Sequence, residues 1–361
     1  MIRLRELDPL ICRPDTSVAD VLKRLSDSAY LFLLVVDKNG RLLGTITDGD
    51  SRRAFLRGVK LNDTAVACMQ DKPITGRVGE EEANLQRFTQ IQARNAFLPL
   101  VDADGLLQEV LYSNTERSQV SALVMAGGPG TRLGELTRSK PKPLLPVGDR
   151  PILDHILERL ERTGIRSIFV SVHYLAEQIE SFIGERDNVA AIQVVHESER
   201  MGTAGALSQV PEAAKDDVLV VNADIITNAN FSALENFHQR QGHDATIAVA
   251  NYEVQVPYGI VRHTEDGIFQ GIDEKPHQMF LAAAGIYLLS PQITALVPPD
   301  RPMDMPELLN LGRSIGLRVG VFPIHEYWVD IGQPHDLENA VRDHENGAIP
   351  GGFDKGQRSG K

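Results

Sequence analysis

The stretch from Leu123 to Pro146 reads LVMAGGPGTRLGELTRSKPKPLLP. An apolar run leads into Gly127, Gly128 and Gly130, framed by Ala126 and Thr131. Missing Cβ atoms there let backbone N–H groups approach a phosphate or a base closely. Taken alone, a glycine-rich turn is more often a tight strand-to-helix connection. Neither of the two common phosphate cradles fits, because there is no G-x-x-x-x-G-K-[ST] and no G-x-G-x-x-G opening a helix. What adds weight is the pairing of the glycines with Arg132 and Lys142. Lys142 stands between Pro141 and Pro143, whose fixed backbone aims one cation at one place at little entropic cost.

On both sides of this stretch, from Val120 onward, strands and helices alternate: SALVMAG, PILDHILERLERTG, SIFVSV, LAEQIESFIG, IQVVHE, DVLVVNAD, FSALENFHQR and ATIAVANY. That order predicts a mainly parallel α/β sheet flanked by helices. Pro151 is expected at the first helical position and Gly164 where that helix ends. DVLVVNAD delivers Asp224 to the end of a buried strand, where α/β ligands gather, although an aspartate there is more often a turn or a cap. Asp330, in YWVDIG from Tyr327 to Gly332, also ends an apolar run. Gly347 to Lys361 is glycine-rich and polar, so residues 346–361 are expected to form a loose tail.

The first third of the chain repeats itself. AYLFLLVVDKNG, Ala29 to Gly40, aligns with RNAFLPLVDADG, Arg94 to Gly105, at an offset of 65 residues. Each copy predicts a polar helix (Ser17 to Leu25, then Leu85 to Gln92), a buried strand, a D-x-x-G turn and a second strand. One such unit buries too little apolar surface to stand alone. The copies, about 1–60 and 61–117, are therefore expected to pack as one domain, followed by a second over 118–345.

Composition bounds the function. With 42% hydrophobic and 24% charged residues in 361, a packed globular core is expected. The longest apolar run, Tyr30 to Val36, is far short of the roughly 20 residues a membrane span needs. Arg3, Arg5, Glu6 and Asp8 stand where a signal peptide would be apolar, so a cytoplasmic location is expected. Cys12 and Cys68 supply neither a disulfide framework nor metal-ligand spacing and are expected to be inert. A net charge of −12 without a basic block argues against a nucleic-acid partner.

With these residues in view, the chain resembles the sugar-1-phosphate nucleotidyltransferases. Their G-G-x-G-T-R-L loop and P-K-P-L-L-P segment both stand intact here, and the likeness extends from about Gln119 to Asp343. The resemblance implies a Rossmann-like, GT-A-like sheet and a Mg²⁺ ion held by Asp224 and Asp330, an arrangement that suits an ion taking few protein oxygens. It implies that Glu274-Lys275-Pro276 is the family's E-K-P motif, with Lys275 on the sugar-linked phosphate and Glu274 on sugar hydroxyls. Tyr258-Gly259 and Ala284-Gly285 resemble the platforms around the ring. Met201-Gly202-Thr203-Ala204-Gly205 resembles the family's L-G-T-A-G, Met replacing Leu at conserved volume, with Gly202 near base and ribose. Glu197 and Glu199 are candidates for reading a base edge. No protein nucleophile is required, since the sugar phosphate itself attacks the α-phosphorus of a nucleoside triphosphate while Arg132, Lys142 and Lys275 screen charge.

GTITDGD from Gly44 to Asp50, followed by Arg52 and Arg53, resembles a CBS module. This implies a tandem CBS (Bateman) pair in which Thr47 meets a phosphate and Asp50 a ribose. The second repeat has Glu109, Tyr112 and Thr115 instead of Gly44, Thr47 and Asp50, so at most one regulatory nucleotide site per chain is expected. A purely structural or dimerising module is the competing reading. The pairing of domains resembles guanylyltransferases that make GDP-glucosamine, implying GTP and glucosamine-1-phosphate as substrates and a dimer or higher oligomer built partly through residues 1–117. Mannose-1-phosphate with GTP, or uridylyl or thymidylyl transfer, are alternatives within the class. A nucleotide-sensing regulator with an inactive transferase domain is the alternative from another class.

Overall fold

Residues 1–28, 30–91, 95–114, 118, 120–211, 216–299 and 301–349 are described by a computed structural model. A seven-stranded sheet dominates, ordered Ala191–His196, Ser167–Val172, Ser121–Met125, Val218–Asn222, His277–Leu289, Ala245–Gln255 and Val319–Ile324. The first four strands are mutually parallel, His277–Leu289 runs antiparallel to both neighbours, and the last pair is parallel again. This is the mainly parallel α/β sheet the alternation predicts.

Because side chains alternate across a strand, Ala122 and Val124 join one apolar core and Leu123 the other. Leu219 and Val221 oppose Val218 and Val220 in the same way. Helices cover both faces, which is why these strands read as near-continuous apolar runs. From Ser121–Met125 the chain first adds strands on one side and then crosses to Val218–Asn222 on the other. The carboxyl ends of these two strands thus flank a topological switch point, where such sheets bind ligands.

The repeat folds as two small sheets. Strand Phe32–Val36 pairs with Leu42–Thr47, and Asn95–Val101 with Leu107–Asn114. Each hairpin has an irregularity at the same place, Val35/Val36 and Leu100/Val101. The copies meet about a local two-fold: Phe32 stacks on its counterpart Phe97 with ring centroids 4.0 Å apart. Leu42 donates to the Gly105 carbonyl and Leu107 to that of Gly40, each at 3.1 Å. Strand Ile2–Leu4 crosses over and pairs with Leu107–Asn114, clamped by Arg3 and Arg5 on the buried Glu109. Glu109 is thus an ion-pair anchor, and Tyr112 is buried edge-on to Tyr30. Cys12 and Cys68 are buried, with thiols pushed up to about 11 by burial.

Several boundaries differ from expectation. The first helix spans Val18–Asp27, capped by the Ser17 hydroxyl accepting from Asp20 N–H at 3.1 Å. The second spans Glu81–Thr89, starting earlier than Leu85 because two glutamates suit a first turn. Pro151 is the N-cap of helix Ile152–Arg162 rather than its first residue. Part of the expected tail is packed: Asn346 caps helix Pro334–Glu345, and Ile349 is buried in the core. Gln92, Arg94, Thr115 and residues 350–361 lie outside the described residues.

The two parts of the chain meet along helix Asp48–Leu56, which packs on strand Val319–Ile324 and helix Phe231–Gln241. At the seam Arg52 is 2% exposed. It pairs with Asp48 and Glu326, donates to the Pro323 carbonyl and lies over the Phe322 ring. No helix among the described residues is long and apolar enough to cross a membrane.

Candidate active site

Strand Ser121–Met125 ends in the glycine loop at the switch point. Gly130 has φ +62°, and a Cβ there would lie 3.0 Å from Lys142 Cβ and from Thr137 Cγ2. Backbone conformation and close approach therefore both demand glycine. At Gly128 a Cβ would meet nothing within 4 Å, so that side of the loop is open space. The loop is pinned from below by buried Leu133 and by the Thr137 hydroxyl donating to the Gly130 carbonyl at 3.0 Å. The Tyr174 hydroxyl donates to the Arg138 carbonyl at 3.0 Å.

The prolines do what the sequence implies: Pro141 caps a short 3-10 turn, Lys142–Leu144, Pro143 lies within it, and Lys142 is buried there. Its ammonium donates to Asp224 Oδ2 at 2.6 Å and lies 4.0 Å from Asp330 Oδ1. The two carboxylates share one mount. Strand Ile225–Thr227 pairs antiparallel with Trp328–Asp330, Asp330 opposite Ile225, and the Ile331 N–H donates to the Asp224 carbonyl at 2.9 Å. Residues 106 apart are thereby fixed to each other by backbone rather than by side-chain contact.

A cleft of about 270 Å³ brings together Ala126, Gly128, Gly130, Thr131, Arg132, Lys142 and Asp224. Pro143 joins its wall, as do Met125, Pro129, Ala223 and Gly332; as small or apolar residues the last four carried no signal of their own in the sequence. Burial, ahead of the neighbouring Asp224 charge, pushes the Asp330 carboxyl above the usual range, while Lys142 and Arg132 draw it down. Asp224 Oδ1 is buried without a hydrogen-bond partner. An orphaned oxygen beside a second, charge-repelled carboxylate is a donor set that fits a hard divalent cation.

Other expected residues lie elsewhere. Glu197 is 8% exposed, accepts from the Ser171 hydroxyl and takes the Met201 N–H at 3.0 Å. Both its oxygens brace the loop behind Gly127, whose Cβ would stand 3.0 Å from Glu197 Oε1. Gly202 has φ +77°, and a Cβ there would meet the Met303 carbonyl at 2.6 Å. Helix Gly202–Gly205 docks in this way on the start of helix Met305–Ser314, with Thr203 N–H donating to Asp304 at 3.0 Å. Gly285 has φ +71° and packs on Asn222, two residues before Asp224.

Tyr258, Gly259, Glu274 and Lys275 sit on an arm, in the connections between the outer ends of Ala245–Gln255 and His277–Leu289 and the hairpin Ile260–His263 and Phe269–Asp273. Gly259 and Glu274 come together there, a Cβ on Gly259 falling 2.9 Å from Glu274 Oε2, and Lys275 has φ +45°. None of the four lines the cleft. The arm also exposes Tyr252, Phe269 and Phe280. In the N-terminal part, Thr47 and Asp50 form the capping box of helix Asp48–Leu56, and Asp50 pairs with Arg53.

The CBS domain family model matches residues 4–56. Over the second part, the chain is 33% identical across 223 residues to the mannose-1-phosphate guanylyltransferase catalytic subunit beta of Drosophila pseudoobscura pseudoobscura, covering 60% of each chain. It is equally 33% identical across 227 residues to the protein of the same name from Danio rerio, covering 60% of this chain and 62% of that one. The chain thus spans about 60% of the length of these curated relatives. A solved structure from Bacillus anthracis, named as a glucose-1-phosphate thymidylyltransferase in complex with sucrose, shares the fold. Its TM-score is 0.52 at 23% identity, covering 65% of this chain and 98% of that chain. The family model described as nucleotidyl transferase matches residues 121–347, and the chain belongs to that family.

Proposed function

We propose that the chain transfers a nucleoside monophosphate from a nucleoside triphosphate to a hexose-1-phosphate, releasing pyrophosphate. The observation that carries this reading is the convergence of the glycine loop, Lys142 and Asp224 on one cleft, with Asp330 4.0 Å from the Lys142 ammonium on the paired strand. An oxygen of the sugar phosphate attacks the α-phosphorus, and the bond to the β-phosphate oxygen breaks as pyrophosphate leaves. Two anions must meet in line, so the protein's work is to hold geometry and screen charge. The open backbone at Gly128 admits the triphosphate, Arg132 and Lys142 neutralise it and the departing pyrophosphate, and Lys275 with Glu274 on the arm takes the sugar phosphate. Asp224 and Asp330 would hold Mg²⁺, which supplies charge neutralisation between the reacting phosphates when bound.

The donor in this proposal is GTP, in keeping with the guanylyltransferase names of the relatives. Those names put mannose-1-phosphate first as acceptor; glucosamine-1-phosphate rests on the pairing of domains alone. We assign the protein to the cytoplasm and expect a dimer or higher oligomer. Pyrophosphate release from GTP, ATP, UTP and dTTP against a panel of hexose-1-phosphates tests the reading. Faster turnover with UTP or dTTP overturns the donor, and no release with any pair overturns the transfer itself.

A further inference from the structure

Strand Val319–Ile324 forms one edge of the large sheet, and the chain leaving it reaches the strand of Asp330 after three residues, His325, Glu326 and Tyr327. Helix Asp48–Leu56 of the N-terminal module holds this exit. Arg52 lies over the Phe322 ring at 4.1 Å, donates to the Pro323 carbonyl and pairs with Glu326 at 2.7 Å. One turn further along the same helix, Phe55 packs on the His325 ring with centroids 4.3 Å apart. Burial, ahead of the Arg52 charge, holds His325 down to about 4, so the ring meets Phe55 neutral. Both side chains are braced from behind. Asp48 accepts from Arg52 at 3.0 Å, and Phe55 packs against the module's own apolar core.

The segment so held feeds the carboxylate ribbon. Its far side is tied to the transferase body: the Asn228 N–H donates to the Tyr327 carbonyl at 2.8 Å, and the Trp328 indole donates to the Ala284 carbonyl at 2.8 Å. Asp330 and Asp224 are like charges, and the Asp224 charge, after burial, is what opposes ionisation of Asp330. The ribbon has three paired positions with which to hold them together. A misplacement of about 1 Å costs such a site up to about a hundredfold, so support for the chain entering the ribbon bears on the site itself.

We propose that helix Asp48–Leu56 is part of the catalytic mount, with Arg52 and Phe55 as positioning residues that hold Asp330 in place through the segment Phe322–Glu326. The N-terminal module thus contributes to the metal site without touching it and without any ligand of its own. This rests on the metal-holding role proposed for Asp330.

The test uses the full chain carrying Arg52→Lys, which keeps the charge and loses the planar fork, or Phe55→Leu, which keeps apolar bulk and loses the ring. Titration with Mn²⁺, followed by electron paramagnetic resonance, reads the metal site without turnover. Trp328 is the sole tryptophan of the chain, so its emission reports on the ribbon directly. Each variant is expected to weaken Mn²⁺ binding at least about tenfold and to shift the Trp328 emission to longer wavelength. In kinetics each raises the Mg²⁺ concentration needed for half-maximal rate and leaves the KM for the sugar phosphate unchanged. Val21→Ala opens the buried core of the module away from the segment; it is expected to lower the melting temperature while leaving Mn²⁺ binding and emission intact. Unchanged binding and emission in both Arg52→Lys and Phe55→Leu overturn the positioning role. An equal loss in Val21→Ala also overturns it, since module stability alone would then account for the effect. Unchanged Mn²⁺ binding in Asp330→Asn overturns instead the metal role of Asp330, and the positioning role is then decided by the Trp328 emission.

Discussion

Replacing Arg52 by methionine strikes the seam between the two parts of the chain. The guanidinium is 2% exposed and meets Asp48 Oδ1 at 3.0 Å, Glu326 Oε1 at 2.7 Å and Glu326 Oε2 at 3.2 Å. It also donates to the Pro323 carbonyl and lies 4.1 Å from the centre of the Phe322 ring. Burial alone would push Arg52 down, but Asp48 and Glu326 outweigh it and hold it above its usual value. Burial would push Glu326 up, but Arg52 holds it down to about 2. Arg52 and Glu326 are therefore ionised, while burial pushes the Asp48 carboxyl up, and loss of the guanidinium takes a donor from both carboxylates and from the Pro323 carbonyl. Removing one partner of a buried pair costs roughly 3–5 kcal/mol. Because Phe322 and Pro323 belong to the edge strand of the large sheet, this cost falls on docking of the N-terminal module. At about 4–8 °C per kcal/mol for a domain of this size, calorimetry of Arg52→Met should show the module melting at least about 10 °C below wild type. Apolar pairs of similar volume replace buried ion pairs at little loss, so adding Glu326→Leu should recover at least half of the deficit. An Arg52→Met midpoint within a few degrees of wild type, or a double variant no better than the single, would refute this account of the seam.

Asp224→Asn and Asp330→Asn should each lower turnover at least about a hundredfold, on the order of 3 kcal/mol, with melting temperatures nearly unchanged; steady-state kinetics at saturating Mg²⁺ checks this. Gly130→Ala puts a Cβ 3.0 Å from Lys142 and Thr137 at φ +62°, so it should cost about 1–2 kcal/mol and reduce turnover by displacing Lys142, as thermal melts and kinetics would show. His238 and Asp217 form a pair whose acid responses oppose each other, 3.8 Å apart. Burial, ahead of neighbouring His243, holds His238 down to about 4 from 6.5, so its share of stability is complete above pH 6.5 and lost as pH falls to 4. Burial, ahead of Glu235 and Asp216, pushes Asp217 up to about 6 from 3.8, so its share grows as pH falls from 6 toward 3.8. Asp217→Asn should therefore unmask an extra loss of about 3 kcal/mol between pH 6.5 and 4 relative to wild type, read from denaturant unfolding; equal pH profiles would sink it.

What the sequence disclosed is what backbone geometry forces on residue type. Gly130 had to be glycine, and Lys142 between prolines had to point one way, so both could be found without coordinates. Asp330 was visible as an acid ending an apolar run. The ribbon joining it to Asp224 was not, because pairing across 106 residues leaves no local mark. Glu197, a candidate for reading a base edge, is buried and takes the Met201 N–H as a brace, a role that no local pattern marks. Gly202, assigned by resemblance to the nucleotide, has a sufficient reason in its approach to Met303. Arg52 and Glu326, 274 residues apart, each look like ordinary surface charge until the fold sets them in one seam.

The strand Ile2–Leu4 has a partner that does not exist when it leaves the ribosome. Arg3 lies 106 residues before Glu109, the residue it clamps. At about 5–20 residues per second of synthesis, the wait is roughly 5–20 s. Throughout it, two apolar side chains and a row of unpaired amides belong to no sheet, while the first hairpin can already close upon itself. The module is thus completed from its beginning only when its last strand is made. A chaperone or a nascent-chain factor has those seconds to act on residues 2–4, and a stalled chain ending before Leu107 would present them as an open edge to any strand nearby.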